Sequence, residues 1–529
     1  MTKLLKRLAG FAAGLSLFAG ASLGLFGLGA QPAGAAGVTI SGTGSSYAAI
    51  AINAWVSQIY TSVGTSVNYQ SSSSVLGLEN FAQGLVDFGA SEIGYSSGQT
   101  ASSPPSDYQY MPDIAGALCV MYNVLGKTGQ QVRQLQLNSQ VIAGIYTGTI
   151  RFWDDPAIAA LNPSAMLPHN PLIVTFRNDP SGDNYIFSEY LHVTQPDTWA
   201  GFTGAMGYPN AATAIWPTPQ SGGNVAGQYN ESSWVSQSGS DNASNYVASS
   251  LNTMTYVETG YALQHNMPCA YVKNSFSGGE QYVQPSELAD SLALTKDRIN
   301  LSTGEQDLAA VFLGDVDGGY PISAYSYLVT RSSGLSPEQG KALSQFVLFL
   351  SCQGQQSAAR LGYAPLPPNL VAADWDAIAK MNGHIPLPAS LDANTCPNPY
   401  LTGELQSVGS PPVLGGSQGG KYSTQVGPGD AGQTNTSGVK NTGVLSGSGS
   451  GKTPGGSQTA SGGAAGVDLV AASNQMLGLP GPTGQILLWT LGFALVFVAP
   501  LSAMAISRRR AARATGAAAV EEEGIDHEA

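Results

Sequence analysis

Hydrophobic and polar positions alternate in short blocks from Val38 onward. Val38-Thr39-Ile40 has β character, and Ala48–Tyr60 has helical spacing, with Ile50, Trp55 and Ile59 among its apolar positions. Ser66–Gln70 reads as a strand, Val75–Gln83 as a helix and Val86–Ser91 as a further strand and turn. The text continues with a buried-strand candidate at Ala115–Val124 and a helix at Asn138–Thr147. Next come a strand at Pro171–Thr175 and a helix at Tyr185–Leu191. The stretch from Gly201 to Asn245 is rich in Gly, Ser and Asn and predicts long surface loops. Tyr256–Glu258, Ala270–Val272 and Tyr320–Val329 are strand-like, and Ser336–Leu350 is an amphipathic helix with a Ser-Pro-Glu start. This alternation predicts an α/β fold. The globular text ends near Tyr400.

The two ends of the chain follow other patterns. Lys3, Lys6 and Arg7 precede a Gly/Ala-rich apolar run from Leu8 to Leu28, and Ala33-Gly34-Ala35 offers a small-x-small cleavage site. Residues 1–35 therefore read as an export signal, with an uncleaved anchor as the alternative. From 403 to 484 the composition turns to Gly, Ser, Thr and Gln, which predicts a flexible linker too polar to bury a core. Residues 485–506 are apolar and uncharged over about the length of a bilayer-spanning helix. Arg508, Arg509, Arg510 and Arg513 follow at once and orient the 507–529 tail to the cytoplasm. The expected arrangement is a body outside the cell on a single-pass cell-membrane tether. Leu479-Pro480-Gly481-Pro482-Thr483-Gly484 resembles a sortase signal with one extra residue, so a retained span is expected rather than cell-wall ligation.

Charge narrows the partners. The net charge is −13, and the body carries no basic tract, which argues against nucleic acid. A buried anion site remains open, because local dipoles govern it rather than distant net charge. Export permits disulfides among Cys119, Cys269, Cys352 and Cys396, with Cys352–Cys396 favoured because it would tie down the end of the folded part. No C-x-x-C spacing exists and only five His are present, so no metal site and no cofactor are expected. Gly449-Ser450-Gly451-Lys452-Thr453 ends like a phosphate-binding loop, but Ser446 stands where its first glycine belongs. Gly415–Gly419 fits G-x-S-x-G without the strand-turn-helix context of a nucleophile elbow.

Three strand-to-helix turns carry small hydroxyl residues or glycine, at Ser46, Ser74 and Ser181-Gly182. An open α/β sheet gathers such turns at the carboxyl ends of its strands, where ligands bind. The last turn also contains Arg177, Asp179 and Asp183. Taken alone it supports two readings. One is a capped βα turn in which Arg177 pairs with Asp179 and Asp179 or Ser181 caps the helix. The other is an anion loop built from a helix N-terminus and a guanidinium fork.

Several of these segments occur in the order found in the phosphate-binding proteins of bacterial phosphate ABC importers. They are Gly42–Tyr47, Val67–Gln70, Val86–Ser91, Gly148–Asp155, Arg177-x-Asp179-x-Ser181-Gly182, Tyr256–Glu258, Tyr261–Gln264 and Leu361–Pro367. The chain resembles that family from Val38 to Val371. The resemblance implies a two-lobed type II periplasmic-binding-protein fold over 36–402, with lobe 1 at about 38–112 and 276–400 and lobe 2 at about 113–275. It also implies capture of inorganic phosphate, delivery to an ABC permease served by separate ATPase subunits, and no catalytic residue. The implied ligand set is Ser46, Tyr47, Ser74, Glu92, Arg177, Ser181, Gly182 and Asp183, with Asp179 holding Arg177. Glu92 would accept the proton of hydrogen phosphate, where the family usually has Asp. Asp183 stands where the family usually has a Thr donor. Its side chain could cap the helix, or it could mark a different oxyanion. A non-transport surface sensor or adhesion protein and, more remotely, a phosphate-ester hydrolase are the rival readings.

Overall fold

The computed structural model describes residues 38–219, 233–276, 278–405, 408, 411–415 and 419–426. The export-signal, span and tail segments lie outside the described residues. Among the described residues, no helix is long and apolar enough to cross a membrane.

One strand organises the body. β4, Tyr108–Asn123, runs for 16 residues and is buried along nearly all of its length. It begins before the apolar run at Ala115–Val124, since its first half holds half-buried Tyr108 and Gln109 and buried Tyr110 and Asp113, which do not read as apolar text. That first half, Tyr108–Ala117, pairs antiparallel with β13, Ser323–Arg331. Its second half, Leu118–Asn123, pairs antiparallel with β8, Thr253–Glu258. The partner change at Ala117/Leu118 divides one ladder into two sheet halves.

The first half adds β1 (Thr39–Gly44), β2 (Ser66–Ser71) and β3 (Phe88–Ser91), in the order β2-β1-β3-β13-β4. The second adds β6 (Ile173–Arg177) and β7 (Trp234–Gln237), in the order β4-β8-β6-β7. β1 is parallel to both β2 and β3, and β6 is parallel to both β7 and β8. The two sets of three parallel strands run in opposite directions, and their carboxyl ends meet near the middle of β4. Each is followed by a turn into a helix or a short loop, as the alternating sequence pattern predicts.

The helices close the faces of each half. α1 (Ala49–Val63) buries Ile52, Trp55 and Ile59, and Trp55 Nε1 donates to the Gly354 carbonyl at 2.9 Å. α2 (Ser74–Ala82) is capped by Ser73, whose side chain accepts from Leu76 N at 3.2 Å. Gly44 has φ +138°, and a Cβ there would lie 2.1 Å from the Ala90 carbonyl oxygen. Glycine is required at that turn for both conformation and space. In the second half Phe187 stacks on Tyr256 with ring centroids 4.3 Å apart, and Tyr146 and Trp216 complete the aromatic cluster. α3 (Gly182–Thr194) and α4 (Gly239–Ser249) come later in the chain, and α5 (Pro337–Ser351) begins with a full capping box between Ser336 and Gln339.

Two expectations change. The Gly201–Asn245 stretch is not loop throughout: its described part includes the end of the helix Pro196–Met206, all of β7 and the start of α4. Small polar residues there occupy a short strand and helix ends as well as loops. The folded body also continues past residue 402. β14 (Val413–Gly415) pairs parallel with β11 (Arg298–Asn300), and Leu405, Val408 and Tyr422 are buried. Tyr422 packs edge-on to Trp375 at 5.0 Å, and its backbone N–H donates to Asp376. A few apolar residues dispersed among Gly and Ser suffice when a preformed surface receives them.

Two disulfides join Cys119 to Cys269 and Cys352 to Cys396. The second closes a 44-residue separation at the end of the body, as expected. Replacing Cys352 and Cys396 together by Ser is expected to cost roughly 2–5 kcal/mol. Tyr422→Ala is expected to cost about 3 kcal/mol through lost burial. Urea denaturation followed by tryptophan fluorescence measures both, and an unchanged midpoint for Tyr422→Ala would mean that the 411–426 segment does not stabilise the body.

Candidate functional site

The turns at the strand ends build one buried polar cluster. β1 ends at Gly44 and presents Ser45 and Ser46, while Ser74 opens α2 after β2. β3 ends at Ser91 and presents Glu92. From the second half, β6 ends at Arg177, Ser181 caps α3, and Ser240 lies in the first turn of α4 after β7. β8 ends at Glu258. All of these side chains are buried, and Arg177 is only 1% exposed.

Arg177 connects the groups. Its Nε donates to Asp179 Oδ1 at 2.7 Å, and its Nη2 donates to Asp179 Oδ2. Nη1 donates to Ser46 Oγ at 2.9 Å, to Ser240 Oγ at 3.1 Å and to Asp183 Oδ2. One guanidinium thus joins residues from both sheet halves. Burial opposes its charge, but Asp183 and Asp179 hold its pKa above the ordinary value, so it stays protonated. Asp179 is fixed in turn by the Gly239 N–H at 3.0 Å. Tyr256 supports the base of the turn, where Arg177 N donates to its hydroxyl at 3.3 Å and that hydroxyl donates to Asn184 Oδ1.

Glu92 forms the opposite wall. Ser45 Oγ donates to Oε1, Ser326 Oγ donates to Oε1 at 3.1 Å, and Ser74 Oγ donates to Oε2 at 2.6 Å. Gly182 N donates to Ser74 Oγ at 2.9 Å, which links the N-terminus of α3 to Glu92 through one hydroxyl. A Cβ on Gly182 would lie 2.1 Å from Glu92 Oε2. Only glycine allows this approach across the site. Burial pushes Glu92 up to about 7, and the Asp183 charge adds to the shift.

The turn from Arg177 to Asp183 adopts the capped βα geometry of the first reading. Arg177 pairs with Asp179, and Ser181 Oγ accepts from Asn184 N at 3.2 Å as the helix cap. The same turn also points its guanidinium and the Gly182 N–H into the cluster. Asp183 is not the cap. Its carboxylate turns inward, where Arg177 and Ser240 Oγ (3.1 Å) donate to Oδ2. The physical reason is that Ser181 already occupies the capping place, while a buried cation lies within reach of Asp183.

Among the expected ligands, Ser46, Ser74, Glu92, Arg177, Gly182 and Asp183 meet in this cluster. Ser181 contributes as cap, and its own N–H donates to the Ala214 carbonyl at 2.9 Å. Tyr47 joins only through its backbone position beside Ser46. Its ring is in the core, with the hydroxyl donating to the Ala324 carbonyl at 3.1 Å.

Ser45, Ser240, Ser326 and Glu258 complete the site and were not among the expected ligands. Ser240 follows a strand and a glycine and opens a helix, the same local recipe as Ser181-Gly182. It was hidden by the Gly/Ser-rich surroundings. Glu258 stood in plain view at the end of Tyr256-Val257-Glu258, yet nothing local distinguishes it from a solvent-facing strand end. It accepts from Ser240 Oγ at 3.2 Å, and burial, then the Asp183 charge, raises it well above the usual carboxylate range. Burial raises Asp183 as well, with Arg177 opposing the shift.

A cluster of this kind can hold a small tetrahedral oxyanion between hydroxyls, a helix N-terminus and a guanidinium. No histidine takes part in the hydrogen bonds that build the cluster, so among the described residues it contains no Ser-His pair. Among the described residues no group of His, Cys, Asp and Glu is arranged to hold a metal ion.

The raised carboxylates have a consequence for stability. Between its ordinary value of 4.5 and about 7, Glu92 binds more protons in the folded than in the unfolded chain. Stability is then fully present below the unfolded pKa and falls as pH rises through the folded one. Denaturation midpoints are expected to fall from about pH 5 to about pH 7.5. Glu92→Gln should flatten part of that slope, and a wild-type midpoint that rises over the window would contradict the assignment.

A family model for the PBP superfamily domain matches residues 30–352. The phosphate-binding protein PstS of Methanocaldococcus jannaschii is 28% identical over 355 residues, covering 64% of this chain and 86% of that protein. The protein of the same name from Pasteurella multocida is 29% identical over 345 residues, covering 65% and 91%. Among solved structures, a high affinity periplasmic phosphate-binding protein bound with phosphate aligns with a TM-score of 0.47 and 17% identity. That alignment covers 64% of this chain and 92% of the other.

Proposed function

Because the chain belongs to the PBP superfamily, we propose that it is a solute-binding protein that captures inorganic phosphate between its two sheet halves and delivers it to an ABC permease. The observation that carries this reading is the convergence of Arg177, Ser46, Ser74, the Gly182 N–H and Glu92, from both halves, in one buried cluster. The curated relatives named phosphate-binding proteins, at 28–29% identity over most of their length, support it. The division into lobes at about 38–112 with 276–400, and about 113–275, is part of the proposal, with β4 as one crossing between them.

Each group has a distinct task. Arg177, held flat by Asp179, would take two phosphate oxygens as a fork. Ser46 and Ser74 would donate their hydroxyls, and the first turn of α3 its backbone N–H groups. Glu92 would accept a P–OH hydrogen. A carboxylate facing an anion is repulsive unless the ligand brings a proton, so the same residue would reject sulfate. Asp183 takes the place of a donor with an acceptor, and it therefore bears on which form of the ligand is held.

The membrane tether is also proposed from sequence. Lys3, Lys6 and Arg7 before an apolar run support export, and the uncharged 485–506 segment before Arg508–Arg510 supports a single span with the C-terminus cytoplasmic. Such a tether would hold the receptor near its permease, whose ATPase is a separate chain.

Calorimetric titration of the full chain in detergent tests the proposal. Inorganic phosphate is expected to bind at micromolar or lower concentration and sulfate not to bind. Arg177→Met should weaken phosphate binding by at least about 100-fold, as loss of a charged bidentate contact implies. Gly182→Ala should weaken it by about tenfold or more, because the added methyl meets Glu92 and keeps the halves apart. Failure of phosphate to bind, with another oxyanion binding instead, would reassign the ligand; no binding of any oxyanion would favour a surface role without transport.

A further inference from the structure

A hydrogen bond outside the anion cluster also joins the two sheet halves. The loop between β3 and β4 carries Gln99, whose side-chain Oε1 accepts from the Ala214 N–H at 2.9 Å. Gln99 is half-buried and Ala214 is buried. Each partner is anchored in its own half. Before Gln99 in the chain, the Tyr95 hydroxyl donates to the Leu78 carbonyl at 2.6 Å, and the Tyr95 N–H donates to the Tyr110 hydroxyl at 2.8 Å. After it, the N–H groups of Ala101 and Ser102 donate to Glu79 Oε1, the second at 3.1 Å. Leu78 and Glu79 belong to α2, and Tyr110 belongs to β4. The Gln99 amide nitrogen donates to the Ser97 carbonyl at 3.3 Å, which leaves the oxygen for Ala214.

On the other side, the Ala214 carbonyl accepts from Ser181 N and from Asn184 Nδ2, both at 2.9 Å. Thr213 N donates to Ser188 Oγ at 2.9 Å, and that hydroxyl donates to the Thr213 carbonyl at 3.2 Å. Ser181 caps α3, and Asn184 and Ser188 lie on it. The Gln99–Ala214 bond therefore connects the helix that begins at Ser74 with the helix that begins at Gly182, through loops fixed to each. The direct contacts between the halves at the cluster use different groups: Ser46 meets Arg177, and Ser74 meets the Gly182 N–H. An anion held by those donors would draw on the same hydrogens, so those contacts yield to it as it binds. Gln99 and the Ala214 N–H have no part in the cluster and keep their bond when the donors turn to the ligand. Tyr261, whose hydroxyl donates to the Ser46 carbonyl at 2.9 Å, crosses the boundary too, but it packs on Cys119 and Met121 of β4, the strand that both halves share. Relative motion is smallest beside a shared strand, so that contact distinguishes little between open and closed halves.

We propose that Gln99 is a positioning residue for closure, a latch on Ala214 that holds the halves together over the bound anion and sets how slowly it leaves rather than which anion enters. This inference rests on the phosphate reading above and adds to it the residence time of the ligand. When the halves separate, the Gln99 oxygen and the Ala214 N–H pass to water. The bond is then worth only its net value against hydration, which is small enough for release to remain reversible. Because neither group touches the ligand, the latch acts on any oxyanion that the cluster accepts.

The test measures uptake and release of radiolabelled inorganic phosphate by the full chain in detergent, with release chased by excess unlabelled phosphate. Gln99→Met keeps the length of the side chain and removes the acceptor. Its release rate should rise about fivefold, as loss of one net hydrogen bond implies, while its uptake rate stays within about twofold of the wild type. Gln99→Glu keeps an acceptor for the Ala214 N–H, and its release rate should stay within about twofold of the wild type. The preference for phosphate over sulfate should be the same in all three proteins. Unchanged release in Gln99→Met, or equal acceleration in Gln99→Met and Gln99→Glu, overturns the inference while leaving phosphate binding in place. Slower uptake with unchanged release would put Gln99 on the entry path and overturns it as well. A wild-type chain that takes up no phosphate removes the phosphate reading itself, and this inference with it.

Discussion

The buried guanidinium of Arg177 is the interaction on which the site depends. A cation without water must be compensated by anions and acceptors held at fixed positions. Asp179 supplies a bidentate partner from the same turn, and Ser46 brings in the opposite sheet half. Ser240 and Asp183 complete the shell. The local chain serves this arrangement: β6 delivers Arg177, a tight turn returns Asp179, and Ser181 starts the helix whose N-terminus faces Glu92.

The same arrangement explains why the two halves can act as one device. β4 exchanges partners at Ala117/Leu118, so a single strand belongs to both sheets. The carboxyl ends of β1 and β3 then face those of β6 and β8. At the site the contacts across the boundary are small and polar: a serine hydroxyl on a guanidinium, a glycine N–H on a serine, a glycine against a carboxylate. Away from it apolar contact also crosses the boundary, where Ile50 of α1 packs on the cluster of Val257 and Tyr261. The aromatic packing around Tyr256 and Phe187 keeps the turn itself rigid.

Much of the fold was legible along the chain. The strand-turn-helix alternation from Val38 to Ser91 is found in the expected order, with boundaries within four residues, because each block has enough apolar periodicity to specify its own type. The capped start at Ser336 and the Cys352–Cys396 pair were likewise visible. Less legible was the region from Gly201 to Asn245, where helix ends and a four-residue strand share the composition of loops. The extension of the body through β14 and Tyr422 was hidden for a related reason: its apolar residues are isolated and acquire meaning only against Ile299 and Trp375.

For the site, the amino-acid sequence by itself determined the chemistry available: the hydroxyl and glycine turns, the Arg177–Asp179 pair, the helix start at Ser181 and the unusual acid at 183. These are properties of a few adjacent residues, and local physics suffices to read them. Only the tertiary structure decided their company. It brought Ser240 and Glu258 beside Asp183, turned that carboxylate inward rather than onto the helix cap, and set Glu92 against Gly182. Those facts depend on which strand ends meet across β4, and no local pattern encodes a meeting between residues 46, 92, 177 and 258.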